Sequence, residues 1–402
     1  MIQCLNDCNP TTLETSGHRQ AGGRGYDPAT GGARRSVHLP CTLLGAWVLL
    51  LTGIFISSAW GSGPAITQLA EHGQASRPSP QLSDPDATPQ ARCLMSHMAA
   101  VYGRKILTGV YSIKDADYVR RITGHYPSII GGDLMNYSPT RVEHGADTHH
   151  EVQALLHASQ QGFIITLSWH WNAPAELIDH SYINAQGKTV SSHWWSGFNT
   201  ESTKFNIAEV LAHPNSHNYH LLVGNIDAIA VQLKKFDRAG IPVLWRPLHE
   251  ASGGWFWWGA HGPGPFKALW RLMYHRLTDH FHLHNLIWVY TNGGIQGGKE
   301  SWYPGNKYVD IVGVDQYPAD TNDPLIKVWK NYQSRFPNKL LAITEFDGVV
   351  NAKKSFLFGV HWDYEVSWGG FVRPPHENPS LLKRLYSQSD VLTRSQTKHW
   401  LK

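Results

Sequence analysis

The strongest constraint on the fold is a regular alternation of short apolar runs with helix-length amphipathic stretches after residue 91. Eight apolar runs recur, at residues 106–111, 128–133, 163–170, 243–250, 286–291, 311–317, 340–345 and 367–372. Helix candidates lie between them, at residues 115–123, 148–161, 226–239, 265–281, 324–336 and 379–388. Repeated strand–helix alternation of this kind predicts an α/β fold, a (β/α)8 TIM barrel.

Two of the repeating strand–helix units have weak helix signals, and the connection after strand three is long. The helix candidates of the fifth unit, residues 294–307, and of the seventh, residues 350–358, are short and poorly formed. A doubly wound open sheet is the alternative, but such sheets usually carry a Gly-rich phosphate turn after an early strand, and we find none. Residues 171–220 form a long insertion after strand three, which in a barrel lies at the functional face.

The segment before the repeating region has the features of an export signal. Within residues 1–60, an uncharged apolar run at 41–56 follows two arginines and precedes small residues suited to cleavage. This order is typical of a secretory signal peptide, so we expect a secreted protein. Two alternatives stay open: residues 41–58 remain as a single anchor at the outer face of a membrane, or the true start codon lies downstream of Met1.

Residues 61–90 are rich in Pro, Ser and Gly and predict a linker, which leaves residues 91–402 as the folded domain. Of the four cysteines, only Cys93 falls in that domain, and no CxxC pair or zinc spacing is present. We therefore expect Cys93 to be an unpaired, buried small hydrophobe.

Composition narrows the class of ligand. Charged residues make up only 16% of the chain, and the net charge is +4 without a stripe of Lys and Arg, so no nucleic-acid partner is expected. The chain also contains 17 Trp and 16 Tyr. Such amphipathic rings suit uncharged, hydroxylated ligands.

Two acidic residues stand at the C-terminal ends of predicted strands, where the functional residues of a barrel lie. Glu250 ends the fourth run, and Glu345 ends the seventh. The ends of strands four and seven face each other across the barrel mouth. Two carboxyl groups placed there can flank one glycosidic bond.

The neighbours of the two carboxyls divide their roles. Glu250 stands beside a Gly-hinged loop of four aromatics at 255–258, which we expect to form a groove wall; desolvation should raise its pKa and make it a general acid/base. Glu345 should lie near Arg246 and the hydroxyl of Tyr317, which favour its anion and make it a nucleophile. Asp133 and Asp315 are expected to be hydrogen-bonding supports.

The histidines do not predict a metal site. His170 stands in a Trp-His-Trp sequence, whereas metal-dependent barrel hydrolases usually need a His-x-His pair at a strand end. His149 and His150 are adjacent on a predicted helix, so their side chains diverge. We therefore expect no metal and no cofactor, and we expect His170 to meet a sugar hydroxyl.

Several of these segments resemble a known family. Residues 246–250 (RPLHE) followed by 253–259 (GGWFWWG) resemble the acid/base segment of glycoside hydrolase family 26, whose best-known members are endo-β-1,4-mannanases. Residues 303–317, 343–345 and 168–170 are similar, in order, to its strand-six, nucleophile and strand-three segments. The likeness spans residues 100–375.

The resemblance implies a retaining mechanism, with Glu250 as acid/base and Glu345 as nucleophile, and carboxyl oxygens about 5–5.5 Å apart. It implies that the substrate is β-mannan or a related plant polysaccharide, and we expect a monomer. It also implies the substrate contacts, to which we add Arg246: His170, Trp194 or Trp195, His249, Trp255, Tyr317 and Trp368.

Three other functions stay open. A β-1,3-xylanase or a mixed-linkage β-glucanase would use the same mechanism, because the motifs do not reveal which hydroxyl groups the loops contact. A non-catalytic carbohydrate-binding barrel is the third, although its usual sign would be loss of one Glu.

Overall fold

The computed structural model of the chain describes residues 78–293, 300–318, 320 and 322–401. The predicted signal segment or anchor at 41–58 and the first part of the predicted linker lie outside these residues. Within the described ranges, every helix is too short or too polar to cross a bilayer.

Eight parallel strands close into a ring, and this confirms the predicted (β/α)8 barrel. Each strand pairs with the next along the chain, and β8 pairs with β1, with Tyr364 opposite Leu107, to close the ring. Closure excludes the open doubly wound sheet. The strands are β1 Ile106–Tyr111, β2 Ile129–Asp133, β3 Ile164–Ser168, β4 Val243–Arg246, β5 Leu286–Gly293, β6 Ile311–Gln316, β7 Leu340–Phe346 and β8 Tyr364–Ser367.

Helices connect the strands on the outside. They are α1 Pro89–Val101, α2 Ile113–Thr123, α3 Pro139–Glu143, α4 Glu151–Gln160, α5 Ile207–Ala212, α6 His217–Arg238, α7 Pro263–His275, α8 Ile326–Arg335, α9 Ala352–Leu357, α10 Pro379–Tyr386 and α11 Arg394–Thr397. The weak fifth unit has only short 3-10 turns among its described residues, at Glu300–Trp302 and Asn306–Tyr308.

Helix α6 begins earlier than the apolar period predicts. The period indicates a start at residue 226, but the helix begins at His217, inside the predicted insertion, because Ser216 caps it by accepting a hydrogen bond from the amide of Tyr219. Helix α7 covers the predicted stretch only to His275, and a π-helical turn, Arg276–His280, completes it.

Strand β8 is not where the apolar pattern predicts it. The predicted run at 367–372 forms turns, and the strand is Tyr364–Ser367. The charged residues Asp363 and Glu365 interrupt the apolar pattern, yet both are fully buried. Tyr364 and Val366 fill the barrel interior, so the alternation of a strand directs the side chain of Glu365 away from it, and a buried acidic residue takes the place of an apolar one.

Part of the predicted linker belongs to the barrel. Leu82 and Ala87 are buried in one cluster with helix α1 and the first residues of the strands, so α1 closes the bottom of the ring. Asp84 accepts a hydrogen bond from His284, and Thr88 caps α1. The linker boundary at residue 90 is therefore too late. Cys93 is buried as expected, but it is disulfide-bonded, so the expectation of an unpaired cysteine is wrong.

Candidate active site

The barrel brings the two predicted carboxyls together at its mouth. Single carboxylate oxygens of Glu250, Asp315 and Glu345 lie within 4.8 Å of one another. The separation is slightly shorter than expected from the sequence. It fits the close spacing of about 5–5.5 Å seen in retaining glycosidases and not the roughly 6.5–9.5 Å of inverting ones.

Glu345 accepts hydrogen bonds at both of its carboxylate oxygens. It is only 4% exposed at the end of β7. One carboxylate oxygen accepts a hydrogen bond from the guanidinium of Arg246, and the other accepts one from the hydroxyl of Tyr317. Both donors favour the ionised form of a carboxyl group, so the environment predicted for Glu345 is present.

Arg246 anchors the cluster from below. Its guanidinium also donates to Asp315 at 3.0 Å and to the hydroxyl of Tyr111 at 2.7 Å. Burial alone would lower the pKa of Arg246, but Tyr111, Asp315 and Glu345 raise it well above its ordinary value. The side chain is fully buried and its guanidinium donates to Tyr111 and to the carboxylates, so contact between Arg246 and substrate stays a prediction.

Glu250 is held in the protonated form near neutral pH. Burial and the charge of Glu345 raise its pKa to about 7, against the opposing effect of a 2.8 Å hydrogen bond from the indole of Trp255. The predicted direction of this shift is confirmed. Gly253 makes the indole bond possible, because a Cβ atom there would lie 2.1 Å from the Trp255 ring.

The turn that presents Glu250 is strained. Glu250 and Leu248 have φ angles of 54° and 52°, in the left-handed region that non-glycine residues rarely adopt. Trp258 fixes the turn between them by donating its indole N–H to the carbonyl of His249 at 2.9 Å.

Two histidines lie beside the carboxylates. The Nε2 atoms of His170 and His249 are 3.2 Å apart, and Nδ1 of His170 contacts the carboxylate of Asp133. Burial, Arg246 and His170 lower the pKa of His249 well below its ordinary value, so it is neutral. His249 is 1% exposed and His170 is 8% exposed, and their predicted contacts with a sugar stay predictions.

The aromatic loop does not form a groove wall as a unit. Only Trp255 is exposed, at 47%, whereas Phe256, Trp257 and Trp258 are buried. Trp257 donates its indole N–H to the carbonyl of Trp171 at 2.6 Å, and Phe256 packs 5.1 Å from the ring of His249. Three of the four aromatics therefore support the site from behind, and one lies in the cleft.

Because Trp258 is buried and Trp255 is exposed, the two residues should contribute differently to the free energy of unfolding. Trp258→Ala should lower the free energy of unfolding by about 3–5 kcal/mol, because it empties a fully buried site. Trp255→Ala should lower it by less than about 1 kcal/mol. Urea unfolding followed by circular dichroism measures both, and equal losses would contradict the assignment.

Tyr317 and Trp368 lie at the cleft, where their predicted contact with substrate is possible. Tyr317 is 45% exposed, and the half-buried ring of Trp368 lies 4.6 Å from Tyr111 and 5.8 Å from His170. Both rings can therefore contact a ligand above the carboxylates.

The insertion contributes a different aromatic from those predicted. Trp194 stacks on His144 at 4.7 Å and Trp195 on His193 at 5.0 Å, and neither contact joins them to the carboxylates. Phe198 instead meets the ring of His170 at 5.2 Å. No sequence signal distinguishes Phe198 from its neighbours.

Sequence reasoning also missed Tyr111, although a signal was available. Tyr111 ends β1, and the strand-end rule applied to the other strands would have selected it. Asp315 was predicted as a support and is one, because it pairs with Arg246 and accepts a 2.6 Å hydrogen bond from Thr344.

Among the described residues, Glu250, Asp315 and Glu345 are the one group whose oxygens lie close enough together to hold a metal ion. The protein's own cation already balances them, since the guanidinium of Arg246 contacts both Asp315 and Glu345. The arrangement suits proton transfer and nucleophilic attack by the carboxyls themselves.

A closed barrel that carries two carboxyl groups at this spacing, one of them with a raised pKa, defines a glycoside hydrolase. The model described as Glycosyl hydrolase family 26 matches residues 83–396, and the chain belongs to that family. The chain is 39% identical over 354 residues to the mannan endo-1,4-beta-mannosidase of Thermothelomyces thermophilus, a match that covers 86% of this chain and 70% of the relative.

One more distant relative and two solved structures are also named as mannanases. The mannan endo-1,4-beta-mannosidase A of Piromyces sp is 24% identical, over 79% of this chain and 50% of its own length. The Podospora anserina GH26-CBM35 β-(1,4)-mannanase superposes with a TM-score of 0.73 at 39% identity, covering 81% of this chain and 70% of that one. The β-mannanase from a symbiotic protist of the termite Reticulitermes speratus, complexed with gluco-manno-oligosaccharide, gives 0.69 at 25% identity, over 80% and 98%.

Proposed function

We propose that the protein is a retaining endo-β-1,4-mannanase that cleaves internal bonds of mannan, glucomannan or galactomannan. The observation that carries the proposal is the close approach of Glu250 and Glu345, within 4.8 Å, with the pKa of Glu250 raised and with Arg246 and Tyr317 donating hydrogen bonds to Glu345. The names of the relatives in the same family support mannan as the substrate.

In the proposed reaction, Glu345 attacks the anomeric carbon while Glu250 donates its proton to the leaving oxygen. The C–O bond to the leaving chain breaks, and a covalent glycosyl-enzyme forms. Glu250, now ionised, removes a proton from water, which attacks the anomeric carbon and releases Glu345. The exposed rings of Trp255 and Tyr317 and the half-buried ring of Trp368 stack on pyranose faces.

Two measurements on the purified chain test the proposal. Reducing-sugar release from mannan, glucomannan, galactomannan, β-1,3-xylan and lichenan should be fastest on the mannans; faster release from xylan or lichenan would contradict the substrate. NMR of the first anomer released should show retention, and an inverted product would contradict the mechanism.

We also propose that the protein is exported and monomeric, either cleaved after the apolar segment or anchored by residues 41–58. The segment's uncharged composition after two arginines supports export. The mass of the N-terminus of protein recovered from medium or membranes distinguishes cleavage from anchoring, and light scattering tests the monomer.

The indole of Trp255 predicts the direction of a pH shift. Its N–H favours the ionised form of Glu250, so Trp255→Phe should raise the pKa of Glu250 above about 7 and extend activity to higher pH. A hydrogen bond of about 1 kcal/mol corresponds to roughly 0.7 pH unit. The alkaline limb of kcat/KM on mannan measures it, and a limb that moves to lower pH would contradict the assignment.

A further inference from the structure

Asp133 holds the imidazole of His170 across two strand ends. Its Oδ2 accepts hydrogen bonds from Nδ1 of His170 and, at 3.1 Å, from the hydroxyl of Ser168. Its Oδ1 accepts from the backbone N–H groups of His170 at 3.0 Å and Met135 at 2.8 Å. Four donors fix the carboxylate, and the carboxylate in turn fixes both the backbone and the ring of His170.

His170 transmits this constraint to His249. Their Nε2 atoms are 3.2 Å apart, with the rings at 77°, and only one of the two atoms can carry the hydrogen of that bond. Because Nδ1 of His170 donates to Asp133, the charge on His170 decides the direction. As an imidazolium, His170 donates to His249; as a neutral ring, it accepts from it.

The direction of this bond determines whether Nε2 of His249 is a hydrogen-bond donor or an acceptor beside Glu345, the candidate nucleophile. Nε2 of His249 lies 3.9 Å from a carboxylate oxygen of Glu345. Its other nitrogen, Nδ1, is buried without a hydrogen-bond partner among the described residues. The bond with His170 is therefore the interaction that selects the tautomer of His249, the residue directly before Glu250.

We propose that Asp133 is a positioning residue: it holds His170 as an imidazolium while Glu250 carries its proton, and so keeps His249 as a hydrogen-bond acceptor beside Glu345. The inference rests on the roles proposed above for Glu250 and Glu345. It assigns to Asp133 an action through His170, without contact to the sugar.

The charges that face the pair support this state. They are Asp133, Glu250, Glu345, Arg246 and His249 around His170, and Arg141 and Glu151 around Asp133. Burial and Arg246 lower the pKa of His170, but Asp133 and Glu345 raise it above its ordinary value. Burial would raise the pKa of Asp133, yet His170 and the other donors hold it at about 2, so its charge persists.

Asp133→Asn tests the proposal because the amide keeps an oxygen for the two backbone donors, while an uncharged NH2 group, which donates, replaces the oxygen that accepts from Nδ1 of His170 and from Ser168. Burial and Arg246 then dominate, and the pKa of His170 should fall below its ordinary value of about 6.5. Because a charged His170 lowers the pKa of Glu250, the loss of this charge should move the alkaline limb of kcat/KM on mannan from about pH 7 to higher pH, while the rate at pH 5 changes little.

A second readout does not depend on catalysis. In ¹⁵N-histidine-labelled protein, the imidazole signals of His170 are those lost in His170→Gln, and their titration midpoint should fall in Asp133→Asn. This midpoint is measured whether or not the chain cleaves mannan, so failure of the proposed function and failure of this inference are distinguishable.

Asp115→Asn is the matched control. Asp115 is a buried carboxylate at the same end of the barrel that accepts hydrogen bonds from the amide of Gly370 at 2.9 Å and from Arg373 at 2.7 Å. It should leave both the His170 midpoint and the alkaline limb in place. An unchanged midpoint in Asp133→Asn, equal shifts in the two variants, or a lowered midpoint with an unmoved alkaline limb would each overturn the proposal.

Discussion

Glu345→Gln is expected to abolish cleavage of mannan and of aryl mannosides with good leaving groups alike, by at least about 10⁴-fold, the scale on which loss of a covalent nucleophile acts. Both substrates need attack on the anomeric carbon, and an amide cannot supply it. The amide oxygen still accepts from Arg246 or Tyr317, so the fold should persist. Initial rates on both substrates and the melting temperature measure the effect.

The matched control for this change is Glu365→Gln on β8. Glu365 is fully buried, and burial raises its pKa well above the ordinary value, so it is a neutral acid that an amide closely imitates. The activity and melting temperature of Glu365→Gln should match those of the parent chain. If Glu345→Gln retained more than a few per cent of the activity on either substrate, Glu345 would not be the nucleophile.

Glu250→Gln should separate the two kinds of substrate. Loss of a general acid costs about 10²–10⁴-fold when the leaving group needs a proton. Hydrolysis of mannan should fall by this factor, whereas formation of the glycosyl-enzyme from an activated aryl mannoside should be much less affected. A burst of aryl product followed by slow turnover would show that the base is also missing.

The pH profile gives an independent check of the same residue. The protonated form of Glu250 is the active one in the first step, and its pKa is about 7. Activity of the parent chain on mannan should therefore decrease above pH 7, and Glu250→Gln should remove this decrease. Equal losses on both substrates, with the decrease retained, would contradict the acid assignment.

The barrel could be predicted from sequence because most strands are buried on both faces and therefore appear as uninterrupted apolar runs. Strand β1 matched its run at both ends. Strand β8 did not, since a buried Glu365 looks like a surface residue in a sequence, and only the packed structure reveals that it is enclosed. The predicted start of the helix that begins at His217 was too late for a similar reason. Its first turns are polar and held by a cap, so the apolar period does not reveal them.

The carboxyl pair was also predictable, because strand order fixes which strand ends face each other. The depth of individual side chains was not. Arg246, His249 and Trp258 stand next to functional residues in the sequence, yet they are buried, and Trp255 alone of the four aromatics is exposed. Neighbouring positions in an irregular loop have no fixed period, so a sequence does not indicate which face each residue takes.

Because the backbone at Glu250 is left-handed, thermal stability and catalytic activity favour different residues at this position. Asparagine or glycine tolerates that conformation better than glutamate does, so replacing Glu250 with either should relieve roughly 1 kcal/mol of backbone cost. A library screened for heat resistance alone would therefore enrich inert molecules at this position. Selection for a more thermostable enzyme therefore has to measure hydrolytic activity in the same round.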